Sequence, residues 1–84
     1  MKLLFAEDEI AMSEAVTDIL TYHHYIVDAV YDGLEALEYA RAEKYDGIIL
    51  DIMMPGMNGL EVLKILSREG NKTPVLLLTA KSEI

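Results

Sequence analysis

Four short apolar runs alternate with segments of helical periodicity, and this alternation restricts the chain to a small number of folds. The runs, each of which predicts a β-strand, are Lys2–Ala6, Tyr25–Val30, Gly47–Leu50 and Pro74–Leu78. The last two are apolar throughout, which is typical of strands buried on both faces of a parallel sheet. The order β-α-β-α-β-α-β therefore predicts an α/β domain with helices on both faces of the sheet.

The segments between the runs carry helix signals. The apolar residues at helical spacing, which we expect to face inward from the first helix, are Met12, Val16, Ile19, Leu20 and His23. A second helix is predicted to begin at Asp32, whose carboxylate can cap it while Glu35 reaches back in a capping box. We expect Leu34, Leu37 and the alkyl part of Arg41 to face inward from this helix.

The third helix has the clearest boundaries. Asn58 and Glu61 repeat the capping-box spacing at its start, and Gly70 lies where a helix stop is expected. The inward stripe is predicted to consist of Val62, Leu63, Ile65 and Leu66. Residues Lys81–Ile84 predict the beginning of a fourth helix.

Composition excludes several classes of function. The chain has 84 residues, a net charge of −8, 52% hydrophobic residues and no cysteine. It is too apolar for a disordered acidic tail and has no disulfide, thiolate metal site or cysteine nucleophile. The acidity argues against nucleic-acid binding by this segment. The apolar runs are far shorter than the about 20 residues of a membrane span, and no signal peptide is evident, so a cytoplasmic location with no membrane partner is predicted.

Side chains suited to chemistry follow the predicted strands at the points where the strands end. Glu7 and Asp8 follow the first strand, Asp51 the third and Thr79 the fourth. Ligands of open parallel sheets bind beyond these carboxyl ends. If the first and third strands are neighbours, three carboxylates converge, and such a cluster is costly without a cation. Oxygen ligands favour Mg²⁺ or Mn²⁺ over Zn²⁺, and a carboxylate beside such an ion can attack phosphorus.

Each of these residues also has an ordinary interpretation. Acidic residues between a strand and a helix are usually caps, Asp51 alone could belong to a turn, and Thr79 is a common strand residue. The three positions together make a much stronger case for a site. For the His23-His24 pair, the methionines and the tyrosines, the ordinary interpretations are a helix end, loop packing and half-buried aromatics.

Three segments carry a family resemblance. Phe5–Glu9 reads FAEDE, Leu50–Gly59 reads LDIMMPGMNG and Leu78–Ala80 reads LTA. In order and spacing they resemble the receiver domain of bacterial two-component response regulators, over all of residues 1–84. The resemblance implies a flavodoxin-like (CheY-like), doubly wound parallel sheet with strand order 2-1-3-4-5, of which CheY is an established example. It also implies a signalling function with a sensor histidine kinase as partner.

The resemblance assigns a role to each matching position. Asp51 matches the phosphoacceptor, which takes a phosphoryl group from the phosphohistidine of the kinase. Asp8 matches a direct Mg²⁺ ligand, Glu7 an acidic partner acting through water, and Met53 a ligand through its backbone carbonyl. Thr79 and the adjacent Ala80 match the phosphoryl-binding and switch position.

The resemblance also implies what this chain lacks. Compared with the family, the sequence is truncated after the fourth strand, so the fifth strand, the fifth helix and the essential lysine are expected to be missing. Lys81 does not match that lysine. Glu7, where many members have Asp, is similar to the subclass with a winged-helix DNA-binding output domain. A fourth strand left at an edge predicts self-association or an element-swapped dimer.

Three functions remain open at this point. The favoured one is a phosphoacceptor signalling domain, which is not an enzyme beyond its own phosphorylation and dephosphorylation. An Mg²⁺-dependent phosphohydrolase with an aspartyl nucleophile would, by resemblance, need a second acid where Met53 stands. An interaction-only receiver fragment would bind a kinase or another receiver without switching.

Overall fold

The computed structural model describes residues 1–79, and seven helices and strands lie in this range. Ala80 and the helix predicted at Lys81–Ile84 lie outside the described residues. In chain order the elements are β1 (Lys2–Ala6), α1 (Ile10–Tyr22), β2 (Ile26–Val30), α2 (Gly33–Ala42), β3 (Gly47–Asp51), α3 (Gly59–Arg68) and β4 (Val75–Leu78). The predicted element order is confirmed, with strand boundaries that move by at most one residue.

The four strands form one parallel sheet in the order β2-β1-β3-β4. This arrangement confirms the order borrowed from the family for these strands, and it makes β1 and β3 neighbours. Phe5 pairs with Ile49, which in turn pairs with Leu76. Asp51, the last residue of β3, pairs with Leu78 at the end of β4. The carboxyl ends of β1, β3 and β4 therefore lie at the same end of the sheet.

The hydrophobic core lies on the face of the sheet that α2 and α3 cover. Its fully buried members include Leu4, Ile48 and Leu50 from the strands and Leu37 and Val62 from the helices. Burying a side chain of this size contributes about 1.5–3 kcal/mol, so this layer supplies most of the driving force for folding. Helix α1 packs on the opposite face, against β1 and β2.

The predicted inward face of α1 is only partly right. Met12 and Ile19 are 43% and 60% exposed, and the exposed His23 is the C-cap of the helix. The side that meets the sheet instead includes Ser13, which is fully buried. The reason is the position of α1 over β1 and β2. Two residues of its apolar stripe, Met12 and Val16, line a cavity at the ends of β3 and β4.

Helix α2 begins as predicted, with one difference in its cap. Asp32 accepts a hydrogen bond from the Glu35 backbone nitrogen at 2.8 Å. The Glu35 carboxylate, however, accepts from the backbone of Tyr31 at 2.9 Å and not from that of Asp32. Leu37 is buried as expected. Leu34 is 58% exposed, contrary to expectation, because it lies outside the buried stripe of α2. That stripe consists of Gly33, Ala36, Leu37 and Ala40.

Helix α3 follows its prediction closely. Asn58 and Glu61 form the reciprocal capping box, with both hydrogen bonds at 2.9 Å. After the last turn Gly70 adopts a φ of +80°, a left-handed conformation that glycine accepts readily. Arg41, whose alkyl part was predicted to face inward, is exposed. Its guanidinium forms a two-pronged ion pair with Glu69, which joins the ends of α2 and α3.

A polar network closes the amino end of the sheet. The hydroxyl of the buried Tyr45 donates a hydrogen bond to Asp28 at 2.6 Å. Burial, and after it this hydrogen bond, raises the pKa of the tyrosine. The Lys2 ammonium lies 5.2 Å from the centre of the Tyr45 ring and pairs with Glu43. Asp28, a residue of β2, therefore has Tyr45 as its hydrogen-bond partner. The position of β2 at the edge of the sheet, which the family's strand order implies, is confirmed. Within residues 1–79 no helix is long and apolar enough to cross a membrane.

Candidate functional site

The acidic residues predicted to converge do so. Because β1 and β3 are neighbours, their carboxyl ends bring Glu7 and Asp8 beside Asp51. One oxygen from each of these three carboxylates lies within 4.8 Å of the others. This spacing is compatible with three oxygens that share one cation.

The three carboxylates differ in their exposure to water. Asp51 and Glu7 are only 2% and 6% exposed, whereas Asp8 is exposed at the rim. Each buried carboxylate accepts a hydrogen bond from a backbone nitrogen two residues further along. The Met53 nitrogen donates to Asp51 Oδ1 at 3.2 Å, and the Glu9 nitrogen donates to Glu7 Oε2 at 3.1 Å. These bonds fix the orientation of both carboxylates.

Electrostatics at the site favour an additional positive charge. Burial, followed by the neighbouring Asp51 and Asp8 carboxylates, raises the pKa of Glu7 to about 7, although the hydrogen bond from Glu9 acts in the opposite direction. In the absence of a cation, a proton on Glu7 relieves the crowding of negative charge. A divalent cation would relieve it more completely and would lower the pKa of Glu7 again.

The loop between β3 and α3 is held against the site by close backbone contacts. A Cβ atom on Gly59 would lie 2.5 Å from the carbonyl oxygen of Asp51, so a side chain there cannot be accommodated without movement. A Cβ atom on Gly33, at the start of α2, would lie 1.9 Å from the carbonyl oxygen of Met57. Sequence reasoning missed both glycines. Their place at the first helical position after a cap was the available signal.

The methionines of this loop have separate roles. Met54 is buried in the core, in agreement with the loop-packing interpretation, whereas the Met53 side chain is 64% exposed beside the site. Asp8, Met53 and Asn58 line a shared concave surface on this side. The resemblance implies that the backbone carbonyl of Met53 binds the metal ion, and this role stays a prediction. Because it needs only the carbonyl, the side chain can be exposed.

A small cavity of about 120 Å³ opens on the other side of Asp51, between α1 and the end of β4. Its lining consists of Glu7, Met12, Val16, Asp51, Leu78 and Thr79. The structure thus brings Thr79 next to the acidic pair, as its place after β4 predicted. Sequence reasoning did not anticipate Met12 and Val16 here, because it assigned them to the core.

The donor set fits a hard divalent cation. The three side chains offer oxygen ligands only, and one of them is open to water. The site lies at the carboxyl ends of the strands, where waters can complete the coordination. These properties suit Mg²⁺ or Mn²⁺ and do not suit Zn²⁺ or copper. The residues that would hold the ion are Glu7, Asp8 and Asp51.

A parallel sheet in the order 2-1-3-4, with an acidic cluster at the carboxyl ends of its central strands, defines a CheY-like α/β domain. The family model described as the response regulator receiver domain matches residues 3–84. The chain belongs to this family, the receiver domains of two-component response regulators.

Two relatives illustrate the similarity in sequence. The transcriptional regulatory protein DltR of Streptococcus agalactiae is 45% identical over 83 residues, which are 99% of this chain and 37% of the relative. The transcriptional regulatory protein TctD of Salmonella typhimurium is 44% identical over 84 residues, which are 100% of this chain and 38% of the relative. This chain therefore spans less than two fifths of the length of these relatives.

Solved structures agree with this assignment. The receiver domain of the Francisella response regulator 1452 has a TM-score of 0.92 at 32% identity, with 98% of this chain and 68% of that chain covered. The response regulator TrrA from Thermotoga maritima, in complex with Mg²⁺-BeF, has a TM-score of 0.91 at 36% identity. That match covers 96% of this chain and 70% of the TrrA chain.

Proposed function

We propose that this chain is the phosphoacceptor of a two-component system, in which Asp51 takes a phosphoryl group from the phosphohistidine of a sensor histidine kinase. The observation that carries the proposal is the buried Asp51 carboxylate with the oxygens of Glu7 and Asp8 within 4.8 Å of it. We also propose that this transfer requires Mg²⁺ or Mn²⁺ and takes place in the cytoplasm.

The proposed transfer forms one bond and breaks one bond. A carboxylate oxygen of Asp51 attacks the phosphorus atom, the P–N bond to the histidine breaks, and the imidazole leaves with the electron pair of that bond. The hydrogen bond from the Met53 nitrogen to Oδ1 holds the Asp51 carboxylate in one orientation before attack. A bound divalent cation supplies charge neutralisation at the phosphoryl oxygens.

The surrounding residues have distinct parts in this proposal. Glu7 and Asp8 hold the cation next to Asp51, and the Met53 carbonyl completes the set of protein ligands. Thr79, which lines the cavity on the other side of Asp51, is proposed to bond a phosphoryl oxygen, with Ala80 in the same switch segment. Burial of Asp51 favours transfer because it keeps out water, which would compete with Asp51 for the phosphorus atom.

The other two functions make different demands. A phosphohydrolase of the aspartyl class would need a second acid two residues after Asp51, and the exposed Met53 stands there. An interaction-only fragment would have no need for the buried, oriented carboxylate. In a longer protein, we propose, phosphorylation of Asp51 would control a transcription-regulating output domain, since DltR and TctD are named as transcriptional regulatory proteins.

Mass spectrometry after a small-molecule phosphodonor treatment tests the proposal. The 84-residue chain is incubated with phosphoramidate and Mg²⁺ and then digested, and the expected result is acid-labile phosphate on the peptide that contains Asp51. Asp51→Asn should abolish the label, whereas the matched control Asp18→Asn, on the exposed outer face of α1, should retain it. Continuous phosphate release without a stable label would favour the phosphohydrolase. Absence of label in the unaltered chain would favour the interaction-only module.

A further inference from the structure

The turn that joins β2 to α2, residues 30–33, contacts both segments that supply the acidic site. On one side, the Val30 carbonyl oxygen accepts a hydrogen bond from the Glu7 backbone nitrogen at 3.1 Å. On the other side, Gly33 lies against the backbone of Met57, in the loop that follows Asp51. We refer to residues 30–33 as the β2–α2 turn. The acidic cluster includes no residue of this turn, so the turn can act on the site only by positioning the segments it touches.

The contact between Gly33 and Met57 leaves no room for a side chain. A Cβ atom on Gly33 would lie 1.9 Å from the Met57 carbonyl oxygen and 2.7 Å from its carbonyl carbon. Ordinary contact begins at 3.4 Å, so a side chain at position 33 would have to displace α2 or the loop by about 1.5 Å. Gly33 is buried, and Met57 packs against the hydrophobic core. The absence of a side chain at position 33 therefore sets how closely α2 approaches the loop.

Hydrogen bonds at the start of α2 hold the β2–α2 turn in one shape. Asp32 accepts from the Glu35 backbone nitrogen through its side chain, and from the Ala36 backbone nitrogen, at 3.0 Å, through its carbonyl. The Glu35 carboxylate accepts from the Tyr31 backbone nitrogen at 2.9 Å. This last bond reaches one residue further back than a capping box would, and it ties the end of β2 to α2. The separation between Val30 and Gly33 is therefore fixed by the turn itself.

The loop that Gly33 contacts carries two groups of the site. The Met53 nitrogen donates a hydrogen bond to Asp51 Oδ1, and the Met53 carbonyl is a proposed cation ligand. Met54 is buried in the core and Met57 packs against it, so this part of the loop is held as one body. A displacement at Met57 is therefore expected to reach Met53.

We propose that Gly33 is a positioning residue for the acidic site, because the β2–α2 turn sets the separation between Glu7 and the loop that carries Met53. For phosphorylation of Asp51 this inference rests on the proposed function, whereas for cation binding it rests on the geometry. Mg²⁺ requires nearly octahedral oxygen ligands at about 2.0–2.1 Å, so a displaced loop weakens its binding. A misplacement of about 1 Å can also lower a reaction rate about 100-fold.

Gly33→Ala tests this inference in the 84-residue chain. We expect its dissociation constant for Mg²⁺, from calorimetric titration, to rise at least about tenfold. Its rate of Asp51 phosphorylation by phosphoramidate at saturating Mg²⁺ should fall at least about tenfold. The matched control is Gly47→Ala at the opposite end of the sheet, where the new Cβ atom would lie 3.2 Å from the tip of the flexible Leu3 side chain. This control should leave both values unchanged, and a merely structural role of Gly33 would lower stability without moving either value in the folded chain.

Amide NMR without Mg²⁺ gives a readout that needs neither cation nor phosphodonor. Gly33→Ala should shift the Met53 amide signal, which reports the hydrogen bond to Asp51, whereas Gly47→Ala should not. If Gly33→Ala does not fold, Glu35→Ala decides the matter, because it frees the Tyr31 nitrogen without adding an atom; we expect the same changes at smaller size.

An unchanged Met53 signal together with unchanged Mg²⁺ affinity, in Gly33→Ala or in the Glu35→Ala variant that replaces it, overturns the inference. Absence of label on Asp51 in the unaltered chain contradicts the proposed function instead. In that case the NMR signal and the Mg²⁺ affinity still decide whether Gly33 positions the site.

Discussion

Replacement of Gly59 by alanine tests whether the start of α3 controls the position of the strand that carries Asp51. The added Cβ atom would lie 2.5 Å from the carbonyl oxygen of Asp51 and 3.0 Å from its carbonyl carbon. Ordinary contact begins at 3.4 Å, so the end of β3 or the start of α3 must move by about 1 Å. Both atoms belong to backbone, which cannot rotate away as a flexible side chain would. The change therefore reaches the site directly.

The expected loss of stability follows from two opposing effects. Overpacking of this kind costs about 1–3 kcal/mol, and alanine returns less than about 1 kcal/mol through its better helix propensity. The net destabilisation is therefore about 2 kcal/mol. For a chain of this size, that loss lowers the melting temperature by about 8–16 °C.

Gly70→Ala is the matched control for this prediction. Gly70 has a φ of +80° and open space around it, so alanine there meets conformational strain of about 1 kcal/mol without any clash. Urea unfolding gives both free energies of unfolding, and calorimetric titration gives the affinity for Mg²⁺. Gly59→Ala should lose more stability than Gly70→Ala and should also bind Mg²⁺ more weakly. Equal stability of the two variants, with unchanged Mg²⁺ affinity, would refute the reasoning.

The remaining predictions concern the acidic cluster and the amino end of the sheet. Asp8→Ala removes one oxygen ligand and should weaken Mg²⁺ binding at least about tenfold, since even the loss of a residue that only supports a metal ligand has an effect of this size. Calorimetric titration measures the affinity, and an unchanged affinity would contradict the proposed site. Because the pKa of Glu7 is raised from 4.5 to about 7, its ionisation destabilises the fold as pH rises through that window. Glu7→Gln should therefore be more stable than the unaltered chain by about 3 kcal/mol at neutral pH without Mg²⁺, with no advantage below about pH 4.5. A constant difference across that range in urea unfolding would exclude Glu7 as the cause. Tyr45→Phe leaves Asp28 without its hydroxyl donor and should cost about 1–2 kcal/mol in the same assay, whereas Tyr22→Phe, at an exposed position, should cost almost nothing.

Features set by near neighbours in sequence were predictable. The Asn58–Glu61 capping box and the Asp32 cap involve residues three positions apart, so the chemistry of the cap is present in the sequence itself. The strands were also predictable, because β3 and β4 contain the short apolar runs that are typical of a parallel sheet. The expected burial of β4 on both faces was wrong, since its residues are half-buried and Leu76 is exposed. The acidic residues were recognisable as a candidate site because each follows a strand.

Other features depended on how the elements pack. The strand order came from a family resemblance and not from periodicity, since hydrophobic patterns do not specify which strands are neighbours. Exposure of Ile19 and Leu34 was missed because both are apolar and follow helical spacing, and spacing does not show which side of a helix meets the sheet. The Glu35 carboxylate bonds to Tyr31, one residue earlier than the capping box predicts.

The sequence by itself determined the order of strands and helices, the caps, and the three acidic side chains on which the proposed phosphoacceptor site depends. The tertiary structure alone decided that Glu7 and Asp51 lie together in a buried place, which raises the pKa of Glu7. It also decided that Gly59 meets the backbone of Asp51. The physical reason is distance along the chain: burial, charge crowding and backbone contact arise between residues far apart in sequence, and only the packed sheet sets their separation.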